Sequence, residues 1–252
     1  MQSIITFCLL KAIQILSRIF YRYDDEYLGP IPARQWGNLR AIIILNHTSL
    51  YEPLLVGFAD SKLLWAFARH GVLPIAEKTM RRKIGLFFRF LVRHVVIITR
   101  QRDHTWNRVL NHVDEKSLVI ILPEGRMKRA NGLDSSGNPM TIRGGIADIL
   151  ENLHEGRLLL LYSGGLHHIQ VPGQTLPKLF KTLHVRMELI DVEDYKAGLD
   201  LKSHDMNFKS AVIRDLTERR DLHCPELEKL CKGQLTKYSE EDGPKIPSEP
   251  LD

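Results

Sequence analysis

The sequence predicts a single α/β domain, in which a mostly parallel or mixed sheet is flanked by helices. Short β-branched runs recur along the chain and alternate with helical apolar patterns, which is the order of elements in α/β proteins. The runs are continuously apolar rather than alternating, as expected for strands that are buried on both faces. With 252 residues, no internal repeat and no long interior linker, the chain is expected to form one domain.

Each element of this fold is predicted from its own pattern. The clearest strands, in chain order, are Ala41–Leu45, Val95–Thr99, Leu118–Leu122, Leu158–Tyr162 and His184–Ile190. A sixth, weaker strand is predicted at Leu63–Ala68. Apolar residues at helical spacing predict five helices between and after the strands. These are Pro53–Asp60, Met80–Leu91, Thr105–Asp114, Gly144–His154 and Phe208–Arg219.

The first 22 residues predict an amphipathic helix that precedes the domain. Lys11 interrupts their apolar run, which leaves it shorter than the roughly 18 residues of a spanning helix. A signal peptide is not expected, because no basic residue precedes the apolar stretch and no small-residue cleavage site follows it. Helical spacing gathers the apolar residues on one face: Ile5, Leu9, Ala12, Ile13, Leu16 and Phe20. The pattern favours a helix lying in a membrane interface, and a helix packed on the core is the alternative.

Charge is unevenly distributed along the chain. The tail 239–252 carries five acidic residues against Lys245 alone and three prolines, which predicts disorder. The formal net charge of +5 therefore leaves the remainder of the chain, residues 1–238, at +9. Such a body favours anionic partners, namely phosphorylated metabolites, an anionic membrane or nucleic acid. No nucleic-acid-binding motif is present, so nucleic acid is not expected as a partner. The predicted domain spans residues 23–238.

Polar residues follow the first predicted strand. His47 and Glu52 lie five positions apart, so on a continuous helix their side chains would point to different faces. They can meet if His47 lies in a turn and Glu52 in the first turn of the next helix. Glu52 could then orient the imidazole, leaving its other nitrogen to take a proton from a hydroxyl. The alternative is a capping box between Ser49 and Glu52, which requires no catalysis.

A second polar segment follows the predicted strand Leu118–Leu122. Its sequence, Pro-Glu-Gly-Arg-Met-Lys-Arg, places a flexible Gly125 beside three cations that suit phosphate. A plain solvated turn has the same composition, so this segment alone does not decide between the two interpretations.

Together these segments resemble the glycerophosphate and lysophosphatidate acyltransferase family. The resemblance rests on Asn46-His47 with a carboxylate five residues later, a strand ending at Arg100, and Pro-Glu-Gly about eighty residues after His47. An Arg-Gly-Gly sequence at residues 143–145 then opens a helix. The order and spacing match across roughly residues 45–150. Three departures are Glu52 in place of the family's usual aspartate, Arg126 where threonine is common, and a displaced Val171-Pro172 in place of a Val-Pro-Val-like block.

The resemblance implies acyl transfer from a thioester, acyl-CoA or an acyl carrier protein, to a hydroxyl of a lysophospholipid or glycerophosphate-like acceptor. It implies that His47 is the general base and that Glu52 is its acidic partner. The implied acceptor-binding residues are Arg100, Glu124, Gly125 and Arg126. No cofactor beyond the thioester co-substrate is implied. Backbone N–H groups near a helix start or near Gly125 are candidate donors to the oxyanion.

The expected location is the cytoplasmic face of a membrane, as a peripheral protein. Residues 78–94 carry six Lys and Arg residues interleaved with large apolar residues and no acid, which is typical of a membrane-surface helix. A partly buried helix has the same pattern. Three cysteines, Cys8, Cys224 and Cys231, lack metal-ligand spacing and are expected to be reduced. The adjacent His167 and His168 have no neighbouring ligand, so no metal site is predicted. A catalytically impaired lipid-binding protein of the same fold is the alternative function.

Overall fold

The structure is a computed structural model that describes residues 2–30, 36–81, 83–99, 104–171, 174, 176–199 and 207–225. Its strands are β1 (Arg22–Leu28), β2 (Leu39–Leu45), β3 (Gly71–Ala76), β4 (His94–Ile98), β5 (Leu118–Ile121), β6 (Arg157–Ser163) and β7 (Thr182–Asp191). Its helices are α1 (Gln2–Phe20), α2 (Ser61–His70), α3 (Glu77–Met80), α4 (Lys83–Phe88), α5 (His104–Leu110), α6 (Gly145–Asn152), α7 (Val192–Gly198) and α8 (Phe208–His223). A 3₁₀ helix covers Glu52–Phe58.

The seven strands form one sheet in the order β1-β7-β6-β2-β5-β3-β4. All neighbouring pairs among these strands are parallel except β6 and β7, which are antiparallel. The central strand β2 is buried along its whole length. The predicted mixed, mostly parallel sheet with flanking helices is confirmed.

Helices cover both faces of the sheet. On one face, α5 to α8 pack over inward residues such as Ile43, Val119 and Leu160. On the other face, α1, the 3₁₀ helix and α2 pack over Ile42 and Leu159. Successive strand residues point to opposite faces, so burial of both faces explains why these strands are continuously apolar.

Two strands were missed, and one predicted strand is a helix. β1 has the sequence Arg-Tyr-Asp-Asp-Glu-Tyr-Leu and pairs only with β7, so its charged side chains remain exposed at the sheet edge. β3 contains Pro74, which weakens a strand prediction. The prediction of a strand at Leu63–Ala68 is wrong. Asp60 accepts a hydrogen bond from the Leu63 N–H at 2.8 Å and caps α2 across this run.

The predicted helix Met80–Leu91 is also wrong as one continuous element. It is replaced by α3, which ends at Met80, and α4, which begins at Lys83. A Cβ at Gly85 would approach the Thr79 carbonyl oxygen to 2.4 Å, so the absence of a side chain allows α4 to fold back against α3. The predicted helix Pro53–Asp60 is replaced by the 3₁₀ helix Glu52–Phe58, and α7 was not predicted.

Helix α1 packs against α2 and the 3₁₀ helix through a side that combines polar residues with Leu10 and with partly buried apolar residues such as Phe7 and Ile13. Gln14 donates to the Ala59 carbonyl at 2.5 Å, and Thr6, Leu10 and Ser17 are buried on the same side. The opposite side is apolar and exposed. By length and composition, α1 is the one helix in the described ranges that could cross a membrane.

Candidate active site

The turn that follows β2 is held by contacts from distant parts of the chain. Asn46 adopts a left-handed φ of 67°, and its side-chain amide donates to the Ser163 carbonyl at 2.9 Å. The Thr48 hydroxyl accepts the Leu166 N–H at 2.7 Å. A Cβ at Gly165 would approach both Asn46 and Thr48 to within 3.3 Å, so a glycine suits this contact. These contacts turn the chain sharply at the carboxyl end of the central strand, where α/β sheets bind ligands.

His47 and Glu52 meet as the spacing predicted. The imidazole Nδ1 lies 3.0 Å from the Glu52 Oε1, and the two side chains are 14% and 8% exposed. The same oxygen accepts the N–H groups of Thr48 at 3.1 Å and Ser49 at 3.0 Å. The carboxylate contact requires a proton on Nδ1, which leaves Nε2 unprotonated in the neutral ring.

The two interpretations of Glu52 are therefore compatible. Its bond to the Ser49 N–H is one half of a capping box. The other half is changed, because the Ser49 hydroxyl accepts the Tyr51 N–H at 3.1 Å and donates to the Gln170 side-chain oxygen at 2.6 Å. Glu52 shapes the turn and contacts the imidazole with one oxygen atom.

Electrostatics at His47 favour a strong base. Burial alone would lower the pKa of His47, but the charge and hydrogen bond of Glu52, together with the charge of Glu124, outweigh burial and raise the pKa. The imidazolium that forms when Nε2 accepts a proton is stabilised by the same charges.

Glu124 lies just after the neighbouring strand β5 and supports the turn from there. Its side chain is almost fully buried, and its two oxygens accept the N–H groups of Asn46 at 2.8 Å and His47 at 3.2 Å. Burial raises the pKa of Glu124, which these hydrogen bonds and nearby positive charges partly offset. The two oxygens thus fix the backbone of Asn46 and His47, and this positioning contact was not foreseen from the sequence.

The remaining predicted acceptor residues occupy different settings. Gly125 has a left-handed φ of 61°, and its N–H is already bonded to the Leu122 carbonyl at 3.0 Å. Arg126 forms an ion pair with the buried Asp134. The pKa of Asp134 lies well below its usual range, owing to the Asn138 N–H and then to Arg126. Arg100 lies outside the described residues.

Two cavities flank the His47 turn. The first has a volume of about 130 Å³ and lies on the α1 face of the sheet. Its lining is apolar, and Glu52 is its only ionisable residue in the part of the chain that the structure describes. The second has a volume of about 190 Å³ and a mixed lining. Its ionisable residues are Glu124, Lys128, Arg220 and Asp221.

The side chains of the adjacent His167 and His168 form hydrogen bonds with backbone carbonyl groups. His167 Nε2 donates to the Lys128 carbonyl at 2.8 Å, and the Lys128 N–H donates to the His47 carbonyl at 2.7 Å. His168 Nε2 donates to the Thr182 carbonyl at 2.7 Å. His167 thus stabilises the position of Lys128, whose backbone contacts the His47 turn. No group of three or more His, Cys, Asp or Glu side chains within the described ranges is placed to hold a metal ion.

The protein has an α/β fold with a mixed, mostly parallel sheet and a His–carboxylate pair at the end of the central strand. The chain belongs to the acyltransferase family, since the model of that family, described as Acyltransferase, matches residues 24–169. The fold is similar to the crystal structure of the 1-acyl-sn-glycerophosphate (LPA) acyltransferase PlsC from Thermotoga maritima. That match has a TM-score of 0.51 at 17% identity, and it covers 83% of this chain and 78% of PlsC. No curated protein matches the chain. The resemblance seen in the sequence is confirmed.

Proposed function

We propose that the protein transfers a fatty acyl group from acyl-CoA or an acyl carrier protein to a hydroxyl of a lysophospholipid or glycerophosphate-like acceptor. The observation that carries the proposal is the 3.0 Å contact between His47 and Glu52 at the wall of an apolar cavity. The family supports acyl transfer, and the fold is similar to that of PlsC, a 1-acyl-sn-glycerophosphate acyltransferase.

In the proposed reaction, the acceptor hydroxyl attacks the thioester carbonyl while His47 Nε2 takes its proton. A tetrahedral oxyanion forms, then collapses with cleavage of the C–S bond, and the imidazolium returns the proton to the leaving thiolate. Glu52 stabilises the imidazolium through Nδ1. A thioester is already activated, so the protein must mainly orient the hydroxyl and remove its proton.

The oxyanion requires donors other than the amides of the turn itself. The N–H groups of Asn46 and His47 are bonded to Glu124, and those of Thr48 and Ser49 are bonded to Glu52. The Gly125 N–H is bonded to the Leu122 carbonyl, so it is not the donor in this conformation.

The two cavities suit the two halves of a lipid reaction. The apolar cavity can hold an acyl chain with its thioester end near Glu52, because burial of methylene groups is favourable there. The mixed cavity contacts the same turn through Asn46 and presents Lys128 and Arg220, which supports a phosphorylated acceptor.

The exposed side of α1 supports a peripheral membrane location. Ile4, Ile5, Ile15, Leu16 and Ile19 are each more than half exposed. Such a stripe is costly in water and suits a lipid interface. The proposed cytoplasmic face agrees with Cys8 and Cys224, which are free thiols.

A thiol-release assay tests the proposal. Purified protein in detergent is given acyl-CoA or acylated carrier protein, with a panel of lysophospholipids and glycerol 3-phosphate. We expect thiol release that depends on an acceptor with a free hydroxyl. Absence of release with every donor and acceptor, from folded protein, would favour the catalytically impaired lipid-binding alternative.

Narrowing the apolar cavity is expected to change acyl-chain preference. Leu159→Phe adds volume at a cavity wall, so kcat/KM for long-chain acyl donors should fall relative to short-chain donors. Leu158→Phe is the matched control, because Leu158 is equally buried but faces the opposite side of the sheet. Equal loss for all chain lengths in both variants would show overpacking rather than a chain-binding role.

Replacing Arg100 or Arg126 with alanine is expected to raise the KM for a phosphorylated acceptor. Loss of a charged hydrogen bond costs about 1.5–3 kcal/mol, which corresponds to about 10- to 150-fold. The acyl-donor KM should change less. Asp134→Asn separates the roles of Arg126, since it weakens the ion pair but retains the arginine. If Asp134→Asn raises the acceptor KM as much as Arg126→Ala, then Arg126 acts through loop structure.

A further inference from the structure

A second exposed apolar surface lies at residues 176–181, outside the matched family region. The sequence is Leu-Pro-Lys-Leu-Phe-Lys and contains no acidic residue. Leu176 is 79% exposed, Phe180 is 69% exposed and Leu179 is 43% exposed. Lys178 and Lys181 are exposed between and beside them. Apolar and cationic side chains interleaved in this way are typical of segments that contact an anionic lipid surface.

The backbone at Phe180 is fixed in an unusual conformation. Its φ of 59° is left-handed, which bulky residues rarely adopt. The Phe180 N–H donates to the Phe20 carbonyl at 2.7 Å, and the two rings meet edge to face at 6.0 Å. The next residue is also held, since the Arg22 N–H donates to the Lys181 carbonyl at 3.0 Å. The segment is therefore tied to the end of α1 while its aromatic ring remains exposed, and such retained strain indicates a functional constraint.

This segment continues the exposed apolar side of α1. Lys11, which interrupts the apolar run in the sequence, turns inward and donates to Gln14 at 2.6 Å and to Ser61 at 3.2 Å. The outward side of α1 is then uncharged until Arg18. Exposed cations lie at the junction of the helix and the segment, namely Arg22, Lys178 and Lys181, whereas Arg18 donates to the Gly57 carbonyl of the 3₁₀ helix at 3.0 Å.

We propose that residues 176–181 form a membrane contact beside α1, in which Leu176, Leu179 and Phe180 enter the lipid interface. Lys178 and Lys181 bind anionic headgroups at its surface. The proposal rests on the proposed membrane location but not on the acyl-transfer chemistry. Charge complementarity favours an anionic bilayer as the occupant, because the segment is cationic and its apolar residues adjoin a helix with an exposed apolar side.

Direct contact can be measured with a tryptophan at the segment. Phe180→Trp is mixed with vesicles of phosphatidylcholine and phosphatidylglycerol, with and without brominated acyl chains. We expect a blue shift of emission and quenching by brominated lipid beyond the signal of the native tryptophans. Leu222→Trp is the control, because Leu222 on α8 is 72% exposed and its neighbours in the chain, Arg220, Asp221 and His223, are polar rather than apolar. Equal quenching in the two variants, or none in Phe180→Trp, would overturn the proposal.

Vesicle co-sedimentation of the full chain provides the second measurement. Lys178→Gln and Lys181→Gln are each expected to lower the partition coefficient about fivefold at low salt. Leu176→Ser with Phe180→Ser should lower it further, whereas Leu222→Ser should not change it. If wild-type protein binds vesicles but releases no thiol, the result contradicts the proposed reaction and does not contradict the proposed membrane contact. Unchanged partitioning in the segment variants would leave α1 as the attachment and reject the segment.

Discussion

Replacing His47 with alanine is expected to lower kcat by about 10²- to 10⁴-fold, the usual contribution of a general base. In the structure, Nδ1 is bonded to Glu52 and Nε2 is left to accept the hydroxyl proton. The measurement is thiol release at saturating donor and acceptor, with circular dichroism to verify folding.

The protein should remain folded, since the backbone contacts of His47 to Glu124 and Lys128 do not involve its imidazole. His112→Ala is the matched control, because His112 is exposed and far along the chain from the turn. It should retain wild-type turnover. Full activity in His47→Ala would end the mechanism proposed here.

Glu52→Gln is expected to lower kcat by a similar factor in a folded protein. Glutamine can still accept the Thr48 and Ser49 N–H groups, but it removes the charge that stabilises the imidazolium. Glu52 raises the pKa of His47, so its loss should lower that pKa. The neutral base then persists to lower pH, and the acid limb of kcat/KM should move to lower pH while the maximum falls.

Ser49→Ala separates catalysis from turn structure. It removes hydrogen bonds to Gln170 and Tyr51, so we expect about 1 kcal/mol loss of stability with kcat little changed. Glu52→Asp should be partly active at best, because the shorter acid reaches the imidazole less well. A normal rate and an unchanged acid limb in Glu52→Gln, with reduced stability alone, would assign Glu52 to the turn only.

The buried strands were predictable because their environment is uniform. β2, β5 and β6 lie inside the sheet with helices on both faces, so nearly every side chain must be apolar. β1 gave no such signal, since an edge strand with exposed sides can be charged. The stretch Leu63–Ala68 is apolar for another reason: α2 buries Leu63, Leu64 and Ala68 at helical spacing.

The contact between His47 and Glu52 could be predicted because the two residues are close along the chain. A strand, a turn and a helix start bring His47 and Glu52 together with few alternatives. The bonds of Glu124 could not be predicted in the same way, because its partners Asn46 and His47 are 78 and 77 positions away. Their meeting depends on the parallel pairing of β2 with β5.

By itself, the sequence determined the α/β class, the family and the His47–Glu52 turn, since each depends on local pattern or ordered motifs. Only the tertiary structure decided which partner each charged side chain has. Arg126 is suited to phosphate by type, but the loop 126–140 brings the buried Asp134 to it. Lys11 interrupts an apolar run in the sequence, but packing of α1 on α2 turns it toward Ser61. A long cationic side chain can reach several anions or oxygens, and packing, not residue type, selects among them.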